Sequence, residues 1–111
     1  MQTDGTTQAA DFKVMREGTK AVVTPGGNIV AATEKPLRAK LRELVQEGVR
    51  ELTLDLAGVG MVDSIGVGLL ISTHNSLRRA GGRLTVVNVA KEIFELFTIM
   101  RMNQLFTVSC A

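Results

Sequence analysis

Two hydrophobic periods alternate along this chain, and the alternation restricts the fold more than any single motif does. Leu37, Leu41, Leu44, Val45 and Val49 recur at steps of four, three, one and four, the spacing of one helix stripe with charged residues opposite. Leu52, Leu54 and Leu56 then recur at steps of two, with Thr53 and Asp55 between them, the spacing of a strand. A second helical pattern covers 64–79. There Val67, Leu70, Ile71, His74 and Leu77 share one face, flanked by Ile65 and Leu69. Arg78 and Arg79 suit the negative end of its dipole, and Gly81-Gly82 stops it.

The remaining runs extend the pattern in both directions. Phe12 and Val14 alternate with Lys13 and Met15, Glu17-Gly18 offers a turn, and Ala21-Val22-Val23-Thr24 favours extended backbone. This predicts a hairpin with strands near 12–16 and 19–24, closed by Pro25-Gly26-Gly27. Thr33 is the expected N-cap of the first helix, with Glu34 and Pro36 in its first turn. A strand is predicted over 83–89, a helix over 91–100 carrying Ile93, Phe94, Leu96, Phe97 and Met100, and a last strand over 105–108. The order ββαβαβαβ implies an α/β fold: a mixed sheet made of an N-terminal hairpin and parallel crossovers, with helices packed against it. Residues 11–111 form one domain, and the polar stretch 1–10 reads as a flexible leader.

Composition removes several classes of function. With 45% hydrophobic residues in 111, the chain can bury one core. A net charge of +2 without a basic cluster argues against direct nucleic-acid binding. No apolar run approaches the ~18 residues of a membrane span, so no membrane insertion is expected. Cys110 is the only cysteine, which rules out an intrachain disulfide and fits a reducing, cytoplasmic setting. The methionines beyond the first residue (Met15, Met61, Met100 and Met102) could mark an adaptable contact surface, but gap-filling in the core is the commoner use and the one expected. Oligomeric state is not fixed by the pattern, and a weak homodimer stays open.

Enzyme chemistry lacks its parts. There is no phosphate-binding Gly-x-x-x-x-Gly-Lys-Ser/Thr loop, and Gly66-Val67-Gly68 is followed by Ile71 where a dinucleotide fingerprint needs a third glycine. Those glycines are expected to serve close packing. Val62-Asp63-Ser64-Ile65-Gly66 has half of a nucleophile elbow. His74, the only histidine, lies ten residues farther along the same helix, about 15 Å from Ser64 at 1.5 Å per residue. That distance excludes a nucleophile–base pair, and the apolar stripe makes His74 a packed structural residue. No Cys/His or acidic cluster suggests a metal, and no cofactor is expected.

What survives is Asp63-Ser64 at a helix start, after the apolar loop residues Val59, Met61 and Val62. Ser64 is expected to cap the helix through its side-chain oxygen, worth about 1 kcal/mol. The same place could carry a phosphate, held over free N–H groups at the positive end of the dipole. A partner packed on Met61, Val62 and Ile65 would then meet a new charge of about −1.5 to −2 beside Asp63.

The run Leu54-Asp55-Leu56-Ala57-Gly58-Val59-Gly60-Met61-Val62-Asp63-Ser64-Ile65-Gly66-Val67-Gly68, with Ala80-Gly81-Gly82-Arg83-Leu84 and Val87-Asn88-Val89, resembles the STAS domain of anti-sigma-factor antagonists. The resemblance covers about residues 11–108. It implies a regulatory, non-enzymatic module that binds an anti-sigma factor with serine kinase activity. In that family the kinase phosphorylates the serine matching Ser64, which breaks the complex, and a PP2C-type phosphatase restores it. The family's partner surface corresponds to Asn28, Ile29 and Val30 together with Met61, Val62, Asp63, Ser64, Ile65, Gly66 and Gly68. Three positions depart from the family pattern: Ile65 replaces a second hydroxyl residue, the turn Gly27-Asn28-Ile29-Val30 lacks two acidic side chains, and Arg101 stands near a common helix-ending glycine. The neutral turn keeps open an alternative, a non-phosphorylated STAS scaffold or a subunit of a larger regulatory or lipid-transport assembly.

Overall fold

A computed structural model describes residues 12–111. The stretch expected as a leader therefore lies outside the described residues. In chain order the elements are β1 (Phe12–Glu17), β2 (Lys20–Pro25), α1 (Glu34–Gln46), β3 (Glu51–Asp55), α2 (Ser64–Arg79), β4 (Arg83–Val89), α3 (Lys91–Ile99), a 3-10 turn (Met102–Gln104) and β5 (Thr107–Cys110). The five strands form one sheet in sequence order. β1 pairs antiparallel with β2 around Gly18, whose φ of +63° suits a residue without Cβ. The other three junctions are parallel, each bridged by a helix. Crossovers of one hand that advance in one direction set their helices on one face of the sheet.

Burial follows that geometry. Ala21, Val23, Leu52, Leu54, Leu84 and Val86 are all within 2% of complete burial and form the sheet side of the core. Leu37, Leu41 and Leu44 of α1, Val67, Leu70 and Leu77 of α2, and Ile93 and Phe97 of α3 close it from the helix side. Side chains of opposite parity face the uncovered side, where one register row runs Met15, Val22, Thr53, Thr85, Thr107 across all five strands. Truncating a core member such as Leu54 to alanine costs about 2–5 kcal/mol, lost transfer energy plus the cavity left behind.

Four expectations are corrected. Thr33 precedes α1 but makes no side-chain cap; its hydroxyl donates to Asn28 O at 2.7 Å and accepts from Val30 N–H at 3.1 Å. Val49 is buried outside α1, because the helix stops at Gln46 and Gly48, at φ +104°, turns the chain toward β3. The last strand starts at Thr107 rather than 105, since the 3-10 turn delays it and Phe106 goes into the core. Of the four methionines only Met102 fills the core; Met15, Met61 and Met100 are 74%, 57% and 46% exposed. They lie on the open sheet face, on the loop before α2 and at the end of α3, where no element among the described residues covers them.

Candidate functional site

β3 ends at Asp55, and a loop of eight residues carries the chain to the first turn of α2. Asp55 organises the exit: its Oδ1 accepts from Ala57 N–H and from the side-chain amide of Asn88, both at 3.0 Å. Asn88 holds φ +56° at the end of β4, a left-handed conformation that Asn tolerates better than most residues. Two strand ends and the loop are thereby tied at one carboxylate.

The loop then pairs with the segment that follows β2. Ile29 and Val62 form a parallel bridge, with Ile29 N–H donating to Met61 O at 3.0 Å and Asp63 N–H to Ile29 O at 3.3 Å. Asn28 Oδ1 accepts from Gly60 N–H at 3.1 Å. Gly66 seats α2 on this ladder: a Cβ there would lie 2.1 Å from Ile29 O and 2.8 Å from Val62 Cγ1. Only glycine lets the helix come so close. Gly68, two residues on, faces open space and needs no such freedom.

Asp63, and not Ser64, is the cap. It has extended backbone, φ −91° and ψ −174°, and its Oδ1 accepts from Gly66 N–H at 2.9 Å. Its Oδ2 accepts from Ala31 N–H at 3.0 Å, so one carboxylate joins the α2 N-terminus to the segment after β2. The two backbone donors, Gly66 first and Ala31 second, hold the carboxyl below the usual carboxylate range by stabilising its charged form. Ser64 is the first helical residue and is exposed, its hydroxyl not needed for the cap. The expectation that Ser64 caps α2 is thus replaced by a division of labour between neighbours.

The ten residues expected at a partner surface separate by exposure. Asn28, Met61, Ser64, Ile65 and Gly68 are exposed, and Val30 and Asp63 are half-buried. Ile29, at 0%, and Val62, at 6%, are interior, and Gly66 is buried beneath the helix. These three build the surface from below, with no exposed side chain of their own. Ala31, Thr33, Asp55 and Asn88 were not singled out as site residues, yet they fix its shape. For Ala31 the tie runs through the backbone, which carries no sequence signal. His74 lies 8% exposed against Phe106, with ring centroids 5.6 Å apart, as expected of a packed residue. Among the described residues no group of three His, Cys, Asp or Glu could hold a metal ion, and no helix is long and apolar enough to cross a membrane.

The comparisons converge on one family. The STAS domain model matches residues 13–110. The anti-sigma-B factor antagonist of Staphylococcus epidermidis is 31% identical over 87 residues, covering 78% of this chain and 81% of that protein. Among solved structures, the anti-sigma factor antagonist SpoIIAA in its unphosphorylated form matches with a TM-score of 0.69 at 22% identity, over 79% of this chain and 82% of that one. The Bacillus cell fate determinant SpoIIAA in its phosphorylated form matches with a TM-score of 0.71 at 20% identity, over 87% and 89%. At those identities the two structures speak for the fold alone. With the family model spanning nearly all the described residues, this chain belongs to the STAS-domain family of anti-sigma-factor antagonists.

Proposed function

We propose that this protein binds an anti-sigma factor that is also a serine kinase, and that phosphorylation of Ser64 breaks the complex. The observation that carries the reading is the exposed Ser64 at the first position of α2, with its capping duty taken by Asp63. In the forward step the γ-phosphoryl group of ATP passes to Ser64 Oγ, ADP leaves and the hydroxyl proton is released. A PP2C-type phosphatase returns the hydroxyl and releases inorganic phosphate.

Charge supplies the switching energy. Met61 and Ile65, 57% and 44% exposed, flank Ser64 and offer a partner an apolar contact. A phosphoserine adds about −1.5 to −2 charges there. The neighbouring Asp63 carboxylate is already committed to two backbone donors and stays ionised, so like charges accumulate. Burying them unpaired against an apolar partner costs several kcal/mol, and each ~1.4 kcal/mol is tenfold in affinity. The neutral Asn28–Val30 turn means that the partner face opposite it is apolar or neutral, because complementary charge governs specificity and on-rate.

The test is phosphoryl transfer itself. The protein, incubated with ATP and the anti-sigma kinase of its own genome, should gain one phosphate, located at Ser64 by peptide mapping. A phosphate mapped to another residue, or none with a kinase that phosphorylates its own cognate antagonist, contradicts the proposal and favours the scaffold reading.

A further inference from the structure

Two parallel crossovers lay α1 and α2 side by side over the sheet, and a groove runs between them. Its floor is apolar, from Leu41 and Val45 of α1 and Leu69 of α2. Arg38 and Arg42 stand one turn apart along one wall, and Ser72, Thr73 and Ser76 line the other. The space between the walls is about 310 Å³, part of it open to solvent. Among the described residues no carboxylate lines the groove, and α2 carries no acidic residue. The polar groups differ in what already holds them. Glu34, 9% exposed, accepts from Arg38 Nε at 2.6 Å, which orients that side chain and leaves its two terminal nitrogens outside the bond. Arg42 makes no ion pair among the described residues, and the neighbouring Glu43 is engaged by Lys40 at 3.2 Å. Thr73 is buried and donates its hydroxyl to Leu69 O at 2.8 Å, so Ser72 and Ser76 are the hydroxyls that wall has to offer.

We propose that this groove binds a phosphoryl dianion, as free phosphate or a small phosphate monoester, between the two arginines and the two serines. Guanidinium forks match pairs of oxygens on a tetrahedral anion, and two of them balance its two charges. The serine hydroxyls donate from the opposite wall, and the apolar floor keeps water from competing on that side. A solvated helix face asks for charge alone; here the charge stands opposite hydroxyls, and a buried carboxylate orients one arginine. The space suits a phosphoryl group with a few further atoms, since sites for larger ligands run from about 300 to 1,000 Å³ and this one is partly solvent. Ser72 lies about 12 Å along α2 from Ser64, so the groove and Ser64 can carry a phosphoryl group at once.

Amide NMR titrations of the full chain with inorganic phosphate and with glycerol phosphate, each matched by sodium chloride at equal ionic strength, test this. Phosphate or the ester should shift residues 38–45 and 69–76 saturably, and the tighter of the two tells whether the free ion or an ester is the ligand. Arg42→Gln should bind at least about tenfold more weakly, and Ser76→Ala about threefold or more. Arg42→Lys, which keeps the charge and loses the fork, should recover only part of the affinity. Arg83→Gln, at the far end of the sheet and paired with Glu51, should bind as wild type does. Four results overturn the proposal: no saturable shift up to about 50 mM, shifts that chloride reproduces, shifts centred on Ile65 and Gly66 at the start of α2, or an Arg42→Gln protein that binds like wild type. Circular dichroism of each variant shows that exposed Arg42 is not needed for folding, so a loss of binding reads on the groove alone.

Discussion

The two ends of the sheet solve the same closure problem with different materials. At the end away from Ser64, backbone meets backbone: Arg50 N–H donates to Thr19 O at 2.8 Å and Arg83 N–H to Arg50 O at 2.7 Å. The Arg50 guanidinium folds back onto Val45 O and Val49 O. At the Ser64 end the ties run through the side chains of Asn28, Thr33, Asp55, Asp63 and Asn88, each holding a backbone group or another side chain. Both ends rest on one glycine pressed against a carbonyl, Gly82 on Arg50 O and Gly66 on Ile29 O. The difference teaches where this fold can be tuned. Side-chain ties can be replaced one at a time, reshaping the surface around Ser64, while the joints between neighbouring strand ends at the opposite end, from Thr19 to Arg50 to Arg83, are held backbone to backbone.

The glycine seats should give the largest effects. A Cβ at Gly66 or Gly82 would lie 2.1 or 2.2 Å from a carbonyl oxygen. Each alanine variant should lose at least about 3 kcal/mol, read as a fall in melting temperature of about 12 °C or more. Gly66→Ala should also weaken the anti-sigma partner beyond what Gly82→Ala does, since only Gly66 seats the surface that carries Ser64. Equal loss of partner affinity in the two would remove the distinction between the ends.

Next in size is the Asp63 clamp. Its carboxyl titrates below the usual range, so the stability it contributes is present above the ordinary carboxylate pKa of about 3.9 and is lost as pH falls through the lower folded value. The urea midpoint of Asp63→Asn should lie below that of wild type at neutral pH, and the gap should hold down to about pH 5 and narrow as pH falls below about 4. A gap that does not change with pH would mean that the carboxylate's charge is not what holds Ala31 and Gly66.

The smallest effects should be gains. Gly68 faces open space inside a helix, so Gly68→Ala should raise stability by up to about 1 kcal/mol. Arg101 sits at φ +60°, where glycine avoids the left-handed penalty, so Arg101→Gly should gain about 1 kcal/mol or less. Thermal melts of both would show whether Gly66 and Gly68 differ as their surroundings require.

Much of this architecture is legible in the sequence because periodicity reports burial directly. The bounds of α2 follow from Asp63 before it and Gly81-Gly82 after it, and the alternation of Leu52, Leu54 and Leu56 marks β3 as facing one core. The start of β5 is not legible, because Phe106 reads equally as a strand residue and as the core plug beneath a 3-10 turn. At the site, Ser64 and Asp63 stand out, but which of them caps depends on one residue of helix phase. The Ala31 tie and the burial of Ile29 and Val62 come from a pairing between segments about thirty residues apart, and local pattern says nothing of register across that distance.

The most direct measurement is the affinity of Ser64 variants for the anti-sigma kinase of the same genome, by calorimetry, with circular dichroism confirming the fold. Ser64→Ala should bind within about twofold of wild type, and Ser64→Asp, carrying part of a phosphate's charge beside Asp63, should bind at least about 100-fold more weakly. A Ser64→Asp protein that binds like wild type to a kinase that wild type binds would contradict the switch.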